Sequence, residues 1–106
     1  MEVTQNDIEE YLRYCERENR LSRHTVRAYR IDLEQLLEWL RRKGDTELDE
    51  AAIKGYLAHL NARYAASSAK RKVASARAFA AYLSHERKTC SPFAGARIGI
   101  REPQRL

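Results

Sequence analysis

An all-α four-helix bundle with an extended C-terminal tail is the fold this sequence predicts, on three observations. Apolar residues return at three- and four-residue intervals in four separate stretches, the spacing of one helix face. Only 4 Gly and 2 Pro occur in 106 residues, so turns are few. No run alternates with the two-residue period of a strand.

The first helix spans residues 4 to 19, with Thr4 as N-cap, Asp7 three residues on, and Val3 placed to staple onto Ile8. Its core face is Ile8, Tyr11, Leu12 and Cys15. The second, LSRHTVRAYRIDLEQLLEWL, is the stretch around which the others are arranged. Ser22 caps it, and Leu21 can staple to Val26. Tyr29, Leu33, Leu36, Leu37 and Leu40 make its stripe, and Arg41, Arg42, Lys43 and Gly44 close it as the helix dipole favours. Asp49 caps a third helix with Ile53, Leu57 and Leu60 inward; Gly55 weakens it slightly. Ser67 or Ser68 caps a fourth, with Ala69, Val73, Ala76, Phe79, Ala80 and Leu83 inward. The periodicity stops at Thr89, which divides the chain into a helical domain, 1–88, and a tail or linker, 89–106.

Tyr11, Tyr29, Tyr56, Tyr64 and Tyr82 lie on or beside the stripes and read as packing residues, and Trp39 as core or interface. Cys15 and Cys90 have neither metal-ligand spacing nor a disulfide framework, and His59 and His85 lack partners at ligand spacing, so no metal or cofactor is expected. The longest apolar runs fall short of the roughly 18 residues a bilayer span needs, and the acidic start MEVTQNDIEE is unlike a signal peptide. The expectation is a cytoplasmic, nucleoid-associated protein with no membrane partner.

The net charge of +5 and a pI near 9.5 favour an anionic partner, and the distribution narrows it. From Ala51 to His85 there is no Asp or Glu, while Lys54, Arg63, Lys70, Arg71, Lys72 and Arg77 all fall there. A helix N-terminus carries partial positive charge and attracts acids to its first turn. The second helix instead begins Ser22-Arg23-His24-Thr25, and the fourth Ser68-Ala69-Lys70-Arg71-Lys72. Each adds cations where an anion would be stabilising, the arrangement of a phosphate site. On the fourth helix Lys70, Ala74, Arg77 and Ala81 form one row and Arg71, Ser75 and Ala78 the next, both outside the apolar stripe. Small residues between the cations let a helix approach a duplex closely. Lys72 falls near the core edge and is expected to snorkel.

These residues resemble the N-terminal, SAM-like core-binding domain of tyrosine recombinases, the phage integrase family, and its Xer-type members in particular. LSRHTVRAYRIDLEQLLEWL is similar to the family's Leu-Ser-x-x-Thr-x-x-x-Tyr-x-x-Asp-Leu helix, and SSAKRKVASARAFAAYL to its Arg-Arg-Leu-Ser-Ala-Leu-Arg-x-Phe-Phe helix. Ser91 to Phe93 resembles the Asn-Pro element that follows, and Pro103 to Leu106 the linker into the next domain. Val73, Ala74 and Ala76 stand where the family has Leu, Ser and Leu, and Ala80 where it has an aromatic residue, so the core there should be slightly underfilled.

The resemblance implies a module that clamps one face of a recombination half-site on double-stranded DNA through helices two and four. Its other implied partners are the catalytic domain of the same parent chain and the recombinase protomers of the assembled tetramer. Ser22, Thr25, Arg71 and Arg77 match family motif positions; Arg23, His24, Arg27, Lys70 and Ser75 are added from charge and helical phase. The family's nucleophilic tyrosine and its supporting arginines, histidine and lysine belong to a C-terminal domain not represented here. No catalytic residue is expected in this chain, which reads as a fragment of a larger enzyme. Two rivals are a helix-turn-helix regulator, with a turn within residues 61–67, and a protein-interaction bundle.

Overall fold

The computed structural model describes residues 1–94, which fold as four helices: α1 (Gln5–Arg17), α2 (Arg23–Lys43), α3 (Glu50–Arg63) and α4 (Ala66–Glu86). The expected resemblance at Pro103 to Leu106 lies outside the described residues. Among those described, the one extended pairing is an isolated antiparallel bridge between Glu2 and Glu47.

Three caps are the ones the sequence predicts. Thr4 Oγ1 accepts from Asp7 N at 3.2 Å while Asp7 Oδ2 accepts from Thr4 N at 2.9 Å, a full capping box. Ser22 Oγ accepts from Thr25 N at 3.2 Å, and Asp49 Oδ1 from Ala52 N at 2.7 Å. Gly44 ends α2 at φ +117, a conformation glycine enters without steric cost, and donates to the Arg41 carbonyl.

The start of α4 differs from expectation. Neither Ser67 nor Ser68 caps it. The N-cap is Ala65, extended at φ −63 and ψ 155, with no side-chain acceptor. α3 ends at Arg63, Tyr64 donates to the Leu60 carbonyl, and Ala65 already accepts from Ala69 N at 3.0 Å. Two residues therefore join the helices, and α4 starts before its serines are reached.

α1 runs antiparallel to α2, with Arg30 bidentate on Glu9 and Gln5 reaching Glu34. It meets α4 through Tyr11, whose ring lies 5.4 Å from Phe79 and 5.2 Å from Tyr82. Arg87, just past α4, returns to the Glu2 carbonyl and the Asp7 carboxylate. Trp39 of α2 packs on Tyr56 of α3 at 5.3 Å. Its ring edge fills the space beside Gly55, where an added Cβ would meet Trp39 Cη2 at 3.1 Å. That contact accounts for a glycine inside a helix. Cys15 is fully buried, with burial pushing its thiol up, and Cys90 is exposed.

One residue of the expected tail is packed. Phe93 is 9% exposed and packs with the core cluster, although it lies in the stretch expected to be tail. Beside it remains an apolar gap of about 10 Å³, lined by Leu36, Ile53, Val73 and Ala76 among others. This is where the small residues of α4 predict underfilling. So small and apolar a gap offers a water no hydrogen-bond partner.

The α1–α2 pair yields a pH prediction. Hydrogen bonding to Arg30, then to Gln5, holds the Glu9 carboxyl below its ordinary range. The unfolded chain then takes up a proton there at a pH where the folded chain does not. The stabilisation is complete above the ordinary carboxylate range and is lost as pH falls through the depressed folded value. With both side chains about a third exposed or more, it amounts to no more than about 1 kcal/mol. Urea midpoints compared between neutral and acidic pH should converge for wild type and Glu9→Gln at the acidic end; a constant gap would contradict the pairing.

Candidate nucleic-acid interface

Acids are placed around the helix starts as the sequence predicts. The first turns of α1 and α3 contain Asp7 and Glu50, whereas those of α2 and α4 contain no acid. At the start of α2, Arg23, His24 and Arg27 are exposed. Ser22 and Thr25 are occupied with each other, their hydroxyls 3.0 Å apart beside the cap bond. Arg23 and Arg27 lie roughly 140–180° around the helix from Asp32, the side that meets α4.

On α4 the earlier helix start moves Lys70, Arg71 and Lys72 into the second turn. The expected anion site of capping serine and first-turn cations is therefore absent among the described residues. What remains is a helix face. Lys70, Arg71 and Arg77 are exposed, with exposed Ala74, Ala78 and Ala81 among them. At about 100° per residue, Lys70 and Arg77 fall about 20° apart and Arg71 about 100° from Lys70, which spreads charge across the open side. Arg77 makes no ion pair among the described residues.

Two expectations fail at the inner edge of this face, for one reason. Ser75 is not a surface residue. It is 1% exposed, and its hydroxyl lies 3.0 Å from Asp32 Oδ2 and 3.1 Å from the Arg71 carbonyl, so its proton serves one or the other. Lys72 does not snorkel to solvent. At 5% exposure its ammonium donates to Asp32 Oδ1 at 3.1 Å and to Gln35 Oε1 at 2.6 Å, and it sits 4.8 Å from the centre of the Tyr64 ring. The cause is Asp32 of α2, a carboxylate buried against α4.

Arg71 shares that carboxylate, with Nη2 2.9 Å from Asp32 Oδ1, yet its side chain is 53% exposed. The structure thus brings Arg71, Lys72 and Ser75 together with Asp32, Gln35 and Tyr64. No hydrogen bond or ion pair joins Ser22, Arg23, His24, Thr25 or Arg27 to them among the described residues. Asp32, Gln35 and Tyr64 are the residues that reading the sequence for cations misses. One signal was available: Asp32 stands four and eight residues before Leu36 and Leu40, an acid in an apolar row.

Beyond this face, a groove of about 410 Å³ between α2 and α3 is lined by Ile31, Trp39, His59, Arg63 and Tyr64 among others. Desolvation, with Arg63 and Arg42 nearby, keeps the His59 imidazole below its ordinary range. None of the described helices is long and apolar enough to cross a membrane.

Residues 8–87 match the family described as phage integrase, N-terminal SAM-like domain. A tyrosine recombinase of Agathobacter rectalis is 33% identical over 104 residues, 97% of this chain and 34% of that protein. The tyrosine recombinase XerC of Xanthomonas campestris pv. campestris is 30% identical over 101 residues, 91% of this chain and 31% of its own length. XerC of Myxococcus xanthus is 35% identical over 83 residues, covering 76% of this chain and 28% of its own. The chain spans about a third of the length of such relatives. No solved structure matches it.

Proposed function

Because this chain belongs to the phage integrase N-terminal SAM-like domain family, we propose that it is the DNA-binding module of a site-specific tyrosine recombinase, gripping duplex DNA with α4 and the start of α2. The observation that carries this is the acid-free stretch from Ala51 to His85, which presents Lys70, Arg71 and Arg77 on the open side of α4 with only small residues between them. A duplex attracts such a face through its phosphates, and the alanines let the helix come close enough for those cations to reach them. Arg23, His24 and Arg27 address a second stretch of backbone, with the Ser22-capped helix start lending its partial charge. Ser22 and Thr25 hold that start in shape. The chemistry of strand cleavage belongs on this reading to another part of the recombinase, and the module's contribution is affinity and placement. Other protomers and the catalytic domain are its further partners.

Fluorescence anisotropy with a labelled duplex across a salt series tests this. If about four phosphates are neutralised, the slope of log affinity against log salt is about −3 to −4, and Arg71→Ala or Arg77→Ala each lowers affinity and flattens the slope by about one. A folded domain that shows no affinity even at low salt would sink the proposal. The α2–α3 groove, where Ile31 is 47% exposed beside half-buried Trp39, would then favour a protein partner.

A further inference from the structure

Asp32 is held by α4 at three points. Its Oδ1 takes Arg71 and Lys72, and its Oδ2 faces Ser75, so residues i, i+1 and i+4 of one helix converge on a single carboxylate of another. The side chain of Asp32 is 0% exposed, and within the cluster two cations meet one anion. Lys72, buried and further satisfied by Gln35 and the Tyr64 ring, neutralises Asp32 on the inside. The surplus charge therefore resides on Arg71, at the rim. A guanidinium has five N–H donors in a rigid plane. Asp32 engages Arg71 through Nη2 only, and the side chain is half in solvent. One nitrogen is anchored, and the half of the side chain that stays in solvent lies on the helix face that carries exposed Ala74 and Ala78.

We propose that Asp32 is a positioning residue for nucleic-acid binding, which fixes Arg71 with its free edge toward a backbone phosphate. This rests on the DNA-binding reading above. An arginine held in place loses less rotamer entropy when a phosphate arrives than one sweeping through solvent, and two N–H groups of its free edge match two phosphate oxygens. Asp32 thus strengthens binding to a polyanion although its own charge is negative. That inversion is what makes the idea testable. Simple electrostatics predicts that removing an acid beside the interface tightens binding, whereas positioning predicts that it loosens binding.

Removing Asp32 alone would strand the buried Lys72 ammonium, so the comparison is made with that cation already replaced. Lys72→Met, with and without Asp32→Asn, is titrated with a labelled mixed-sequence duplex, each in combination with Arg71→Ala or Arg77→Ala. The expected result is that Asp32→Asn weakens binding about fivefold despite the gained positive charge. Arg71→Ala, costing on the order of fivefold while Asp32 is present, costs less than about twofold once it is gone. Arg77→Ala costs the same factor in both backgrounds, because Arg77 stands apart from the cluster; a general loosening of the helices would erase its effect as well.

Equal or tighter binding after Asp32→Asn, or an undiminished Arg71→Ala effect, would overturn the proposal. Failure of the folded wild-type domain to bind DNA at all would instead overturn the reading on which it rests. A measurement on the unaltered protein stands beside these. Nitrogen-15 NMR of the Arg71 side chain should show hindered rotation of the guanidinium about Nε–Cζ before DNA is added, and rapid averaging there would also overturn the assignment.

Discussion

Asp32→Ala is expected to lower the unfolding free energy by about 3–5 kcal/mol, the cost of leaving a buried cation without its counter-charge. Lys72, 5% exposed, would keep Gln35 and the Tyr64 ring but lose its anion, and Ser75 would lose an acceptor. The reverse change, Lys72→Met, should be milder, because Asp32 retains Arg71 and Ser75 and the new side chain is apolar. Replacing both, Asp32→Leu with Lys72→Met, should recover most of the loss, since apolar residues of similar volume often replace a buried ion pair at little cost. Urea unfolding of the single and double variants measures this. An Asp32→Ala loss below about 1 kcal/mol would show that the ion cluster is not the buried tie it is taken to be.

Phe79→Ala should cost about as much, roughly 3–5 kcal/mol, by a different route. Phe79 is fully buried and leans on Tyr11 with ring centres 5.4 Å apart, where α1 meets α4. Truncation leaves a cavity that two rigid helices cannot collapse to fill. For a domain whose total stability is of the order of 5–15 kcal/mol, either change removes a large part of it. Tyr14→Ala, on the exposed rim of the same aromatic group at 38% exposure, provides the contrast and should cost less than about 1 kcal/mol. Thermal and urea midpoints for the pair would separate core filling from surface packing.

The sequence was most readable where structure is written locally. Thr4, Ser22, Asp49 and Gly44 act as caps because a cap needs only its own side chain, or the lack of one, and backbone a few residues away. The apolar stripes of α1 to α4 are buried as their spacing implies, except that Tyr29 at the start of the α2 stripe is only half-buried. The start of α4 was legible only in error. Ala65 has no side chain to advertise its role, and the serines after it carry the signature of a cap without the position. Ser75 and Lys72 were unreadable for a further reason, and Asp32 was signalled only by its place in an apolar row. Whether a polar side chain is buried depends on what the neighbouring helix offers it, and the match between Asp32 and α4 spans about forty residues of sequence. Phe93 is the same case in apolar form, an aromatic side chain in a Pro-containing stretch that finds a gap left by small residues on α4.

On the DNA-binding reading proposed above, the uncapped start of α4 sets stability against binding at a single position. Ala65→Asp would supply an acceptor for the free backbone N–H groups and raise stability by about 1 kcal/mol, as N-cap aspartates do. The same carboxylate would stand about one and a half turns before Lys70 and Arg71 and repel the phosphates that those cations are proposed to meet. A library screened for thermal resistance should therefore enrich acidic residues at position 65, while one screened for DNA retention should purge them. Ser or Thr, which cap without charge, are the substitutions both screens can accept.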